Sequence, residues 1–161
     1  MKSIFLTLTV FISINAFAAI NPAGKYQNKH QVLAQMYTSK KDCLADKGHW
    51  IKADEMCLFD TSDDAIVTKE GNNFHLLVTT IASNLHMCEF SAPATLVGNV
   101  LISEIAVDEY NSENGETVPE TCILSAELTN NGKAMSITTN QKCQSLCGAN
   151  GTLEIDLKKV K

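Results

Sequence analysis

The chain lacks most of the marks that announce a chemistry. It has no glycine-rich loop of the kind that cradles phosphate and no Gly-x-Ser-x-Gly elbow to present a nucleophile. Its cysteines form neither CxxC pairs nor a Cys/His ladder with zinc-finger spacing. Aromatics make up only 6% of residues, with one tryptophan, and the basic residues are scattered, so nucleic acid has no footprint. There is no internal repeat and no low-complexity tract. Beyond the first 18 residues no apolar run reaches the ~20 residues that a membrane-spanning helix needs. No cofactor is expected, and the balance leans away from an enzyme. Paired carboxylates of glycosidase type stay open because Asp and Glu are plentiful, although few sit at apolar strand ends, where burial would shift a pKa.

Export is the first thing the sequence does state. Met1-Lys2-Ser3 supplies a positive charge, Ile4–Ile14 an apolar run, and Ala16-Phe17-Ala18 a small-x-small cleavage site. The alternative, a membrane anchor, needs a longer apolar run. No cysteine lies near the site, so a lipid anchor is not expected. Cleavage after Ala18 shortens the chain from 161 residues to 143, the size of one domain. Residues 1–18 hold one lysine and no acid, so the mature part is more negative than the formal −5 of the whole chain. A mildly acidic surface argues against nucleic acid and anionic membranes and suits a basic protein partner.

An even number of cysteines behind an export signal reads as disulfides in an oxidising compartment. All six, Cys43, Cys57, Cys88, Cys122, Cys143 and Cys147, fall in the mature part. Six cysteines allow 15 pairings. Sequential pairing is the expectation: Cys43 with Cys57, Cys88 with Cys122, and Cys143 with Cys147, the last stapling a turn that ends at Gly148.

The expected fold class is α+β: one or two N-terminal helices stapled onto an antiparallel sheet or open barrel. Residues 19–60 form the helical and hairpin part of a single mature domain, 19–161, and residues 65–161 the β-rich part. In Lys25–Tyr37, the spacing of Val32, Leu33, Met36 and Tyr37 predicts a short helix. Ser39 caps a second helix that ends at Gly48, with Cys43 and Leu44 facing inward. His49–Phe59 reads as a small hairpin with Trp50 packed in its corner rather than stacked on a ligand. Asp60-Thr61-Ser62-Asp63-Asp64 reads as a solvated linker. It lacks the Asp-x-Asp-x-Asp-Gly order and the distal Glu of a calcium loop.

From Ala65 the chain alternates apolar and polar residues as a meander does. The predicted strands are 65–68, 74–82, 85–91 interrupted by Pro93, 95–107 with Gly98-Asn99 as a bulge or turn, and 121–128. Asn130-Asn131-Gly132 marks a hairpin turn, and runs at 134–139 and 152–157 flank the last two cysteines. Asp108–Glu120 reads as a long exposed loop, the kind that often carries function. His75 and His86 fall on adjacent predicted strands and, with Glu89, form a weak metal candidate against surface or packing roles. Asn150-Gly151-Thr152 matches a glycosylation acceptor, but the short signal has bacterial proportions and the match is read as chance.

Three functions fit these observations, in this order: an exported binding or inhibitor protein of the periplasm or extracellular space, a secreted hydrolase of wall or sugar polymers, and a structural subunit of an envelope assembly. Intact-mass measurement tests the shared premise: isolated without reductant, the chain should begin at Ala19 and take up no alkylating agent, then accept six groups after reduction. Six reactive thiols before reduction would remove the premise.

Overall fold

Strict alternation of buried and exposed side chains runs through most of the strands, and it builds the fold. The computed structural model describes residues 20–111, 115–147 and 150–161. The export reading at residues 1–18 and the turn at Gly148 lie outside them. In chain order the strands and the one α-helix are β1 (Gly24–Leu33), α1 (Lys40–Ala45), β2 (His49–Ile51), β3 (Met56–Glu70), β4 (Asn73–Ile81), β5 (Met87–Val97), β6 (Val100–Asn111), β7 (Glu116–Thr129), β8 (Ala134–Thr139) and β9 (Ile155–Lys159). Short 3₁₀ segments occupy Ser83–Leu85, Asn130–Gly132 and Gln141–Leu146.

Strands β3 to β9 follow one another as antiparallel neighbours. β1 then closes the sheet. It pairs with β3 over ten residues, Gly24↔Val67 to Leu33↔Leu58, and with β9 at Tyr26↔Lys159 and Gln27↔Lys158. The result is a closed eight-stranded antiparallel barrel, with β2 as a short extra strand on β3. The expected α+β arrangement with an open sheet is therefore wrong, and the misread segment is β1. Its buried residues, Tyr26 and Val32, lie an even number of positions apart, as on one face of a strand. Met36 and Tyr37, which completed the helical spacing, lie beyond the strand, and Met36 is 58% exposed.

Other expectations change for similar reasons. The second predicted helix exists but is six residues long, with Ser39 Oγ accepting from Asp42 N–H. Cys43 is buried there, but Leu44 is 52% exposed and does not face inward. Asp60–Asp64 is not a linker but the middle of β3, because β1 offers its carboxylates partners. Asp108–Glu120 is not a loop: twelve residue pairs join β6 to β7, up to Asn111↔Glu116. Pro93 does not break β5. Its carbonyl takes the Ser103 hydroxyl at the point where the β5–β6 ladder ends, so no ladder bond is asked of its missing N–H. Gly98-Asn99 is a turn, with Gly98 at φ 64° and Val97 paired to Val100.

An eight-stranded barrel has an interior just wide enough for side chains to fill. Here Phe74, Leu76, Phe90, Leu101, Leu124, Leu128, Met135 and Ile137 fill it, and Ala65, Ala92, Ala94 and Ala126 fit the narrow places. The apolar face points inward and residues such as Thr121, Ser125 and Glu127 point outward, the reverse of a lipid-facing barrel. Among the described residues no helix is long and apolar enough to cross a membrane. At one end of the barrel, the Tyr26 hydroxyl shares its one proton between the carbonyls of Pro22 (2.9 Å) and Gly132 (3.1 Å), which ties down the N-terminal segment.

The six cysteines form three disulfides, of which the first is the expected sequential pair and the other two are crossed. Cys43 joins Cys57, Cys88 joins Cys147, and Cys122 joins Cys143. Cys88 on β5 and Cys122 on β7 both point into the barrel, separated by β6. The 3₁₀ segment Gln141–Leu146 lies across that end, so Cys143 within it and Cys147 just after it reach different strands instead of each other. Such a plug closes the barrel end with covalent clips.

Gly48 is the tightest point of the N-terminal corner. A Cβ there would meet Cys43 Sγ at 2.9 Å and Phe59 Cζ at 3.0 Å, with Cys57 Sγ closer still. Gly48→Ala should lower stability by about 1–3 kcal/mol through overpacking against the disulfide, read as a lower denaturant midpoint. An unchanged midpoint would show that the corner yields freely.

Candidate functional site

Three surface regions gather polar or charged groups. The first is the seam between β1 and β3. Strand alternation sends Asp60, Ser62 and Asp64 outward and Asp63 inward. Asp60 accepts from Gln31 Nε2 (2.8 Å) and lies 2.8 Å from His49 Nε2. Asp64 accepts from Gln27 (2.9 Å) and lies 3.0 Å from Lys25 Nζ. Asp63, 6% exposed, accepts the Ile81 N–H at 2.9 Å, and His30 Nε2 donates to the Ile81 carbonyl at 3.0 Å. His30 Nδ1 sits 3.4 Å from Asp63 Oδ2 without the alignment of a hydrogen bond. These two side chains stand in for ladder bonds where β4 runs past its last pair with β3, Asp64↔Thr79. A broad depression of about 670 Å³ lies beside them, lined by Lys29, His30, Gln31, Asp60, Thr61 and Ser62. The carboxylates of this seam already serve protein partners and point in different directions, which leaves no calcium cage.

The weak metal candidate does not assemble. His75 sits opposite Pro93, while His86 precedes β5 at the far end of the β4–β5 pair, about 20 Å of strand away. His75 Nε2 is 2.9 Å from Ser91 Oγ, and Glu89 lies opposite Thr79. Among the described residues no group of three His, Cys, Asp or Glu is placed to hold a metal ion. Trp50 is half-buried on β2 opposite Cys57. A second, smaller hollow of about 190 Å³ lies beside the plug, where Asn140 and Gln144 are held by backbone partners.

The third region is the wall formed by β4 to β7. Between Lys69 and Lys133 the sequence contains no lysine and no arginine, and the fixed charges there are all carboxylates. Because these strands are consecutive neighbours, a gap in sequence becomes a contiguous half of the barrel wall. Toward one end of the barrel the wall continues as the β6–β7 ribbon, beyond the last β8 pair at Leu124↔Thr139. On the ribbon's inner side Lys142 of the plug meets Glu109 (2.5 Å) and Glu120 (3.1 Å), which hold its ammonium pKa above the ordinary range, Glu109 most strongly. On its outer side Glu104 and Asp108 are exposed and face no cation on the neighbouring strand, where Ile123 and Pro119 lie opposite.

No family model, curated protein or solved structure matches the chain. Three disulfides are consistent with an extracellular or periplasmic protein. Of the candidate regions, the polar seam was legible only as an acidic run. The cation-free stretch could have been found by reading the lysine positions alone.

Hydrogen bonds from Gln31 and then His49 hold the Asp60 carboxyl below its ordinary pKa of 3.8. A depressed folded pKa adds stability above the unfolded value and loses it as pH falls through the folded one. Melting temperature should therefore drop on acidification through that range, and Asp60→Asn should show a shallower drop. Parallel curves for the two proteins would remove the assignment.

Proposed function

We propose that the chain is an exported, non-catalytic binding protein of the periplasm or extracellular space, released by cleavage after Ala18. Its partner is a basic protein, and a lysozyme-like wall hydrolase that it inhibits is the first candidate. One observation carries this reading: half of the barrel wall, together with the ribbon that extends it, bears carboxylates and no fixed positive charge. Such a surface raises the encounter rate with a cationic partner and repels anionic ones.

The filled interior supports the same reading, since a barrel packed with Phe90, Leu101 and Leu124 leaves no room for a small ligand inside. A wall-polymer hydrolase would use two carboxyls on either side of a cleft. The carboxylates of the β1–β3 seam are instead engaged with Gln27, Gln31, His49 and Lys25.

Titration calorimetry of the mature protein with a basic c-type lysozyme tests the reading, alongside clearing of a cell-wall suspension. Expected are binding that weakens steeply as salt rises and slower clearing when the protein is added. Absence of binding at low salt, or clearing by the protein alone, would overturn it.

A further inference from the structure

The wall of the barrel is not evenly paired. β5 and β6 share only four residue pairs, from Val97↔Val100 to Ala94↔Ser103. β5 reaches that ladder after seven residues, Met87 to Pro93, that pair only with β4, and β6 leaves it for eight residues that pair only with β7. A lane therefore opens between the two strands.

Backbone direction in the lane follows from register. The Asn99 carbonyl accepts from Leu128 N–H of β7 at 2.8 Å, so odd-numbered positions of β6 face β7 and even-numbered ones face β5. Past Ser103, the N–H and C=O groups of Glu104, Ala106 and Asp108 thus point into the lane. Among the described residues no backbone hydrogen bond outside the strand ladders reaches them, and their ladder partners lie on β7 alone. Exposed edges in natural sheets are commonly blunted by Lys, Pro or a bulge. Residues 104–111 contain neither Lys nor Pro. The plug Gln141–Leu146 lies against β5, β6 and β7 at this end, and the Cys88–Cys147 and Cys122–Cys143 bridges fix it there. The lane is preformed.

We infer that the β6 edge accepts an extended, lysine- or arginine-bearing segment of the partner protein as an added strand. This rests on the reading that the partner is basic. Main-chain bonds to alternate residues would give affinity, and the exposed carboxylates of Glu89, Glu104 and Asp108 on the lane's rim would select cationic side chains. The ammonium of Lys142 on the plug is engaged by Glu109 and Glu120. A second copy of this chain fits worse, since edge-to-edge pairing would set Glu104 and Asp108 against their own like charges.

A displayed library of random nonapeptides, panned at low salt against the oxidised mature chain, tests this. Enriched peptides should carry Lys or Arg at alternate positions. Their affinity should fall at least tenfold for Ala106→Pro, which removes an N–H facing the lane and no β7 bond, and equally for the exposed double variant Glu104→Lys/Asp108→Lys. Amides of Glu104, Ala106 and Asp108 should gain exchange protection on binding. No enrichment, enrichment without basic alternation, or affinity indifferent to the double variant would overturn the proposal, as would a dimer in which those amides are protected. Should lysozyme bind the double variant and Ala106→Pro as tightly as the parent, the lane falls and the proposed function stands. If lysozyme fails to bind the parent, the proposed function falls irrespective of the peptides.

Discussion

Closure of the sheet by β1 is the constraint on which the remaining features depend. Ten pairs to β3 and two to β9 remove both long edges that an open meander would leave. Once the wall is continuous, inward residues on opposite strands meet across one narrow interior, and a filled apolar core becomes possible. Tyr26 stands at that seam. Its ring is buried, Lys159 Nζ lies 5.3 Å from the ring centroid, and its hydroxyl ties Pro22 and Gly132 together. The N-terminal segment, the last strand and the Asn130–Gly132 turn are thus held by one side chain.

Closure is incomplete at two places at the same end of the barrel, and each is sealed by different chemistry. Where β3 and β4 part, Asp63 and His30 take the N–H and C=O of Ile81. Buried backbone groups are costly to leave unpaired, so these two side chains have a structural duty there. Where β5 and β6 part, seven residues of β5 and eight of β6 go without each other's pairing, and a 3₁₀ plug with two disulfides lies against them. Covalent clips do what a few hydrogen bonds could not. They also leave the outer edge of β6 available, which is how a stabilising device and a candidate docking edge come to share one location.

Much of the β meander was legible from alternation: the strands from Ala65 onward, the Asn130–Gly132 turn and the hairpin at His49–Phe59 all follow local pattern. Three of the misread segments failed for want of a distant partner. β1 looks helical because only β3 and β9 reveal which of its residues are covered. Asp60–Asp64 looks like a solvated linker because the partners of its carboxylates lie some thirty residues earlier. Asp108–Glu120 looks like a loop because polar residues dominate both strands of a ribbon exposed on either side.

The even cysteine count, the acidic balance and the period-two alternation are properties of composition and local order, and the sequence alone determined them. It also contained the stretch from Lys69 to Lys133 without a cation. Tertiary structure decided that this stretch forms one half of a barrel wall, that Cys143 and Cys147 reach two different strands, and that β6 keeps a free edge. Those outcomes depend on strand register and on which edges meet. Register is set by contacts between residues tens of positions apart, and no local pattern of side chains encodes them.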